Sequence, residues 1–504
     1  MSFILFSTNS FSQGNNDEAN FYKATDAIDQ HFYRKAINLF SQVLKNNTDN
    51  DKVKFQLGKC YFLLNDLDSS IYFFEQAAKN IDIASKEDNF ASIKAPASTL
   101  LYLSISLHRN NQFEKAISVL DRFANDYPNG AKRLQKDIDR IKFYCQNGTQ
   151  MIKRPINMKI TNLGNKINSI YHDHSPVISA DESVLIFTSR RMGSIGEKLL
   201  PDGQYDEDLY EVHKMPNNQW GSVKNMGDPI NTAGHDASVA LSADGQELFL
   251  YRDDEGNGNL YVSFKEGEAW STPRKLGTNI NSKYKETQAT ISANGQTLYF
   301  TSNRKGGYGE LDIYKSHLLP DGTWSKAENL GPTINTPYNE ESPFIHADGV
   351  TLFFSSKGHN TMGGYDIFFS TFNEETNTWS APENVGYPIS SAENDVYYIP
   401  TPDGKRAYMT SQRFGSIGRA DLYMISLPDE QEKPLTIMSG TIHNADGVVP
   451  KNMVINVTDK ATGKLVGQYR PNTKTGKFLF ILTPGKYHSA FMADDFLYFD
   501  NDFS

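Results

Sequence analysis

Five acidic residues recur at one phase of this sequence: Asp173, Asp236, Glu286, Glu340 and Asp395. Each stands two residues before a Ser-Pro position, which is intact at Ser175-Pro176 and Ser342-Pro343. If each opens the innermost strand of a ring of sheets, the five carboxylates encircle one mouth of a central channel and could hold a cation or a basic peptide. The same residues could instead pair with a neighbouring arginine or cap a turn, as acids in structural repeats usually do. A second set, Asp208, Asp312, Asp366 and Asp421, precedes a Leu/Ile-Tyr/Phe pair and suits the fixing of a turn. Asn259 holds that phase in the second unit, which argues against metal ligation. His172, Asp173, His174 and Ser175 are adjacent, whereas a catalytic triad converges from distant positions around a buried orienting acid. Gly-x-Ser-x-Gly, His-Glu-x-x-His and phosphate-binding glycine loops are absent from the sequence. The residues therefore predict no catalysis, no cofactor and no metal.

The elements that would position these acids form a repeat. Gly164, Gly227, Gly277, Gly331 and Gly386 open successive units of roughly 50 to 60 residues, a period characteristic of solenoids and propellers. Asn168, Asn231, Asn281 and Asn335 follow the glycine as part of an Ile-Asn pair, and Ser390 takes that place in the fifth unit. Turns recur at Asp181-Glu182, Asp244-Gly245, Asn294-Gly295, Asp348-Gly349 and Asp403-Gly404, between runs that alternate or are rich in aromatics. All four tryptophans, Trp220, Trp270, Trp324 and Trp379, share one phase, which marks a packing position. A unit this size makes about four short strands and cannot bury both faces of its sheet, so the units must stack, and a closed ring leaves no edge unpaired. The pattern predicts a β-propeller of five blades, the last completed by residues near Asn157–Leu163, whose Thr161-Asn162-Leu163-Gly164 repeats the outer-strand pattern Glu328-Asn329-Leu330-Gly331. Six blades is the alternative, if a further hairpin lies between Arg191 and Tyr210.

At 504 residues the chain exceeds one core. A net charge of −10 excludes the basic face of a nucleic-acid binder and disfavours adhesion to anionic lipid. No apolar run reaches the roughly 18 residues of a membrane span. Residues 1–13, with Phe3-Ile4-Leu5-Phe6, read as the remnant of a secretory signal, the alternative being a disordered terminus. Cys60 and Cys145 are too few and too far apart in sequence for a disulfide framework or a metal cluster.

Residues 14–150 are helical by periodicity, and Tyr33–Ile37, Leu67–Ile71 and Phe113–Ile117 superimpose as second helices of three pairs, with a capping helix over Gly130–Cys145. With Leu57, Gly58, Tyr61, Phe74 and Ala77 at its packing positions, this segment resembles tetratricopeptide repeats, a protein-binding scaffold whose first helices line a groove. The resemblance implies groove positions at Lys52, Phe55, Lys59, Phe62, His108 and Arg109; the alternative is that these only pack between repeats. Residues 155–430, with Ser302-Asn303-Arg304, Asp312-Ile313-Tyr314 and Trp379-Ser380-Ala381-Pro382, resemble WD-repeat-like, TolB-type propellers. Residues 436–504 alternate as a small β-sandwich and, with Thr475-Gly476-Lys477-Phe478 and Pro484-Gly485-Lys486-Tyr487, resemble the non-catalytic carboxypeptidase regulatory-like domain. The order of the three modules resembles periplasmic OmpA-family proteins of Gram-negative envelopes, including the PorE-type component of the type IX secretion machinery. That resemblance implies an outer-membrane-associated scaffold with envelope proteins as partners, reaching peptidoglycan through an OmpA-like domain outside these 504 residues. A glycan or peptide binder, or a hydrolase or lyase, using the propeller channel is the competing expectation.

Overall fold

The computed structural model describes residues 7–254, 256–413, 415–494 and 496–504. It divides into two units, Met1–Arg154 and Pro155–Ser504. The apolar run Phe3–Phe6 of the expected signal remnant lies outside the described residues; from Ser7 onward the chain is helical.

The first unit consists of α1 (Ser7–Asp29), α2 (Tyr33–Asn46), α3 (Asp51–Leu63), α4 (Leu67–Ala77), α5 (Ser98–Arg109), α6 (Phe113–Asp126), α7 (Pro128–Arg133) and α8 (Gln135–Met151). The buried stripes follow the helical period: Ala36, Phe40 and Val43 on α2, Phe113, Ala116, Leu120 and Phe123 on α6. Each pair turns on one left-handed residue, His31, Asn65 or Asn111, with φ of 61°, 59° and 56°, the conformation that ends a helix in a tight corner. Asn50 and Asp66 accept the backbone N–H groups of Val53 and Ser69, which starts α3 and α4 cleanly. Close packing within the middle pair requires Gly58, since a Cβ there would lie 2.7 Å from the Phe74 ring. The expected capping helix is split at Leu134 into α7 and α8.

The second unit opens with a propeller of five antiparallel sheets. Its inner strands are Asp173–Ile178, Asp236–Leu241, Glu286–Ile291, Glu340–Ile345 and Asp395–Pro400. Hydrophobic clusters fill each seam between blades, and Trp220, Trp270, Trp324 and Trp379 each pack against one of them. The ring closes as the repeat predicts: strand Lys159–Asn162 pairs antiparallel with Asp421–Ser426, Ile160 opposite Ile425 and Asn162 opposite Tyr423. The six-blade alternative fails, because among the described residues no strand lies between Ser189 and Asp208; that segment is a loop held by the Arg190–Asp202 ion pair at 2.8 Å.

The Ile-Asn pairs have a mechanical role. The side-chain amide of Asn231 accepts from the Leu209 N–H at 2.8 Å and donates to the Leu209 carbonyl at 2.9 Å, holding the third strand of the preceding blade as a neighbouring strand would. Asn281 grips Leu260, Asn335 grips Ile313 and Asn168 grips Leu422 in the same way. Ser390 keeps the first of these bonds, its hydroxyl accepting from the Ile367 N–H at 3.3 Å.

The β-sandwich pairs Thr436–Thr441 with Lys477–Leu482, and packs this ribbon over a four-stranded sheet around Ile455, Val457, Phe480 and Phe491. It covers the propeller face that carries the Asp-Gly turns: Asn472 donates to Gln246 at 2.8 Å, Lys433 pairs with Asp348 at 2.7 Å, and Ile481 reaches the channel lining. The sandwich thus covers the turn-side end of the channel.

Asn335→Ala leaves the N–H of Ile313 buried without its partner, while the Ile313 carbonyl keeps the Leu330 N–H at 3.1 Å. It is expected to lower stability by about 2 kcal/mol, read as a shift in the urea midpoint at constant slope; a loss below about 0.5 kcal/mol would refute the clamp.

Candidate functional site

In the helical unit the expected groove positions are largely occupied by the chain itself. The loop between α4 and α5 lies over α3: Lys52 is fully buried and its ammonium donates to the backbone carbonyls of Lys86 and Asn89. Gln56 donates to the Glu87 carbonyl at 2.6 Å, and Lys59 pairs with the Glu87 carboxylate at 2.9 Å. Phe55 is fully buried between Phe74 and Tyr102, and His108 is buried against Phe113 and Tyr144. Phe62 remains half-buried with the Arg109 guanidinium over its ring at 5.0 Å, and Arg109 also donates to Asn65. The expectation of exposed Phe and Lys along this surface is therefore corrected for Lys52, Phe55 and His108. For Lys52 the cause is the long loop after α4, which satisfies its own carbonyls on that ammonium; Phe55 and His108 are covered by the rings of neighbouring helices.

In the propeller the five recurrent acids do stand at the starts of the inner strands, but all five are fully buried. Each accepts the backbone N–H and the hydroxyl of a residue four positions earlier, as Ser169 gives to Asp173 and Thr232 to Asp236. Four also face an arginine: Asp173–Arg191 at 2.6 Å, Asp236–Arg252 at 2.6 Å, Glu286–Arg304 at 3.1 Å and Asp395–Arg413 at 3.0 Å. Each arginine also donates to the carbonyl of the isoleucine in the preceding Ile-Asn or Ile-Ser pair of its own unit, so loop, strand and turn are tied at one point. The acids are tie-points, and as placed they do not face the channel. The third-strand acids do what their position suggests, accepting loop N–H groups: Ile195 to Asp208, Tyr308 to Asp312, Met362 to Asp366 and Ile417 to Asp421.

The fourth blade departs from this scheme. Gly358 stands where the arginine is expected, and His359 takes over, donating through Nε2 to the Ile334 carbonyl at 3.0 Å between the rings of Phe354 and Phe368. Glu340 then has the hydroxyls of Thr336 and Ser356 but no arginine, and burial pushes its carboxyl up to about 7. Burial also pushes Asp366 in the same blade up to about 8, and lowers His359.

The functional candidates are elsewhere, at positions flanking the tie-points where the units disagree. At the residue after each acid the blades carry His174, Ala237, Thr287, Glu341 and Val396; at the next they carry Ser175, Ser238, Gln288, Ser342 and Tyr397. All five inner strands bulge here, and Ser175, Ser342 and Tyr397 take left-handed φ of 52°, 50° and 57°, a conformation side chains other than glycine rarely adopt. The bulges gather residues of all five blades at one mouth. His174 and His235 each lie 3.5 Å from the Glu207 carboxylate, His172 packs edge-on against His174, Gln288 donates to the Tyr397 hydroxyl at 3.2 Å, and Tyr365 donates to Glu341. Burial, with Glu341 and Glu207 nearby, pushes the Tyr397 hydroxyl up to about 12. Below the mouth the channel is apolar, lined by Val177, Val239, Ile291, Phe344 and Ile399, and encloses about 70 Å³. Among the described residues no group of three or more His, Cys, Asp or Glu is placed to hold a metal ion. Reading the repeats for their shared residues led to the tie-points and missed Glu207, His235, Gln288, Glu341 and Tyr397; the usable signal was disagreement between units.

Residues 98–130, covering α5 and α6, match the family model described as tetratricopeptide repeat. No curated protein matches the chain. Among solved structures it is similar to TolB from Acinetobacter baumannii, at 14% identity over 52% of this chain and 56% of that one, with a TM-score of 0.29. It is also similar to a putative TolB from Agrobacterium tumefaciens, at 14% identity, 64% and 96% coverage and a TM-score of 0.33. A third likeness is the RS223 β-xylosidase, at 12% identity, 55% and 98% coverage and a TM-score of 0.37. The chain spans little more than half the length of the Acinetobacter TolB. Likenesses with TM-scores this low carry no argument, and function rests on the site itself.

The fourth blade gives a pH signature of known sign. Glu340 binds its proton more tightly folded than unfolded, so its contribution is fully present below its ordinary value of 4.5 and is lost as pH rises through about 7. Glu340→Gln should therefore gain on wild type between pH 5 and pH 8, by up to about 3 kcal/mol, in paired thermal melts. Glu286→Gln should destabilise throughout that range, because Arg304 keeps its charge and loses its partner. A Glu340→Gln difference that does not change with pH would refute the assignment.

Proposed function

We propose that this chain is a non-catalytic scaffold or adaptor in the periplasm of the Gram-negative envelope, joining protein partners within a secretion or outer-membrane-associated complex. The observation that carries the reading is the tetratricopeptide repeat at residues 98–130, an architecture built for protein recognition, in one chain with a propeller. Three further points support it. The five recurrent acids are committed to bonds within their own blades. The channel, at about 70 Å³, is far below the roughly 300–1,000 Å³ of ligand-sized pockets. No described helix is long and apolar enough to cross a membrane. The resemblances to carboxypeptidase regulatory-like and OmpA-family proteins point to the same compartment. A glycan-binding or hydrolytic propeller is the second reading, favoured by the polar residues gathered at the mouth.

Affinity capture from envelope extracts, with the full chain and with residues 14–150 removed, tests the proposal. A protein partner retained by the full chain and lost on removal of the helical unit is the expected result. Recovery of no protein by either form would overturn the scaffold reading in favour of the second.

A further inference from the structure

The tie-points of the propeller are nearly the same in every blade, whereas the residue after each acid differs in all five, and the next is serine in three blades but Gln288 and Tyr397 in the others. The mouth carries Glu207, between His174 and His235, and Glu341, beside Tyr365, with both carboxylates near Tyr397. Just inside, the Ser342 hydroxyl lines the channel, is 5% exposed, and has no hydrogen-bond partner among the described residues. A buried hydroxyl left unpaired costs on the order of 1–3 kcal/mol relative to one that is satisfied. It is held there by a left-handed backbone at φ 50°. This is a polar group presented to something that enters from outside.

The loops on the same face carry exposed apolar side chains beside the exposed Lys283, Lys285, Lys305 and Arg419. Ile170, Met192, Ile195, Tyr308, Tyr338 and Ile417 are between 40% and 73% exposed, and all lie in loops on the acid-bearing face, away from the turns that the sandwich covers. A rim of aliphatic and tyrosine side chains around a carboxylate-lined opening suits a polypeptide better than a polyol. The channel space of about 70 Å³ admits the end of one side chain and excludes a sugar ring with its hydration. Two carboxylates and the tyrosine faces favour a cation, in competition with Lys357, which lies 4.4 Å over the Tyr365 ring beside Glu341.

We propose that the acid-side mouth of the propeller is the docking site for an extended segment of a partner protein, which inserts one lysine or arginine between Glu207 and Glu341 while its apolar neighbours lie on the rim. The proposal deepens the scaffold reading by assigning a second partner surface, distinct from the helical unit.

The full chain is titrated with a short blocked peptide carrying a central lysine between leucines, and with the same peptide carrying norleucine in place of lysine. Preferential binding of the lysine peptide, weakened about tenfold or more by Glu207→Gln, by Glu341→Gln and by 0.5 M salt, is the expected result. Equal binding of the two peptides, no binding of either, or binding unchanged in the double variant Glu207→Gln/Glu341→Gln would overturn the proposal, as would displacement of the peptide by a neutral oligosaccharide. Met192→Ser, a surface change on the rim, is the second variant: it should weaken the same peptide by less without altering the melting curve, and an unchanged affinity would count against the rim. Removal of residues 14–150 should leave peptide binding intact, so a failed peptide titration and a failed partner capture are separate results.

Discussion

Ring closure by Lys159–Asn162 is the constraint on which the second unit depends. Without it the last blade ends on a strand whose N–H and carbonyl groups face outward, and an open edge in a protein this rich in sheet is an invitation to pair with another copy. The pairing joins residues more than two hundred positions apart, so its cost is the entropy of a very long loop, which grows only logarithmically with length. Side chains reinforce the seam. Asn162 donates to Asp421, Asn168 holds Leu422, and Glu182 of the first blade accepts from Arg406 at 2.6 Å and from Tyr408 at 2.8 Å in the last. Glu182 occupies the turn position that glycine fills in the other four blades, in a left-handed conformation with φ of 55°. The strain there is offset by an ion pair across the junction between the last blade and the first.

The same logic explains the irregular second blade. Where Asp208 and Asn225 meet in the first blade, the second has Asn259 and Lys275, and Asp254 supplies the missing carboxylate to both. Charge and hydrogen bonds are conserved at a fixed place while the residues supplying them move. Arg252 likewise sits at the strand end, two residues before the usual position, yet reaches the same acid and the same isoleucine carbonyl. In the fourth blade His359 reproduces only the carbonyl contact, leaving Glu340 without a cation. What the repeat preserves is a set of contacts, and sequence identity follows only where one residue type is the easiest way to make them.

This is why the fold was legible and the mouth was not. The recurring glycines, Ile-Asn pairs and tryptophans are visible because each does the same work five times or nearly so, and closure could be read from Thr161-Asn162-Leu163-Gly164 because an outer strand without its blade is a conspicuous remainder. Helix pairing was legible for the same reason, from the period and from Gly58 against Phe74. The acids were also visible, but their meaning required the arginines, which stand 18 residues on in three blades, 16 on in the second, and are replaced by Gly358 in the fourth. Glu207, Gln288, Glu341 and Tyr397 carry no shared signal, since each occurs once on a frame that fixes only its backbone. The loop that buries Lys52 was equally unreadable: its contacts to α3 run through backbone carbonyls, and carbonyls leave no mark on sequence.

These two failures of reading define where recognition can occur. A repeat scaffold stabilises itself through groups that recur, so those groups are already satisfied and have little left to offer a partner. Lys52 and Phe55 illustrate this in the helical unit, where residue types that look suited to a ligand are consumed by a loop and by neighbouring rings. The paired arginines and acids illustrate it in the propeller. Free binding capacity is left to residues that stability does not require, held by a backbone that stability does require. At the bulge in each inner strand the frame dictates a bend and leaves the side chain open to choice, and there Ser342 keeps a buried hydroxyl without a partner. Specificity in this chain therefore belongs to the positions with the least resemblance to one another, carried on the positions with the most.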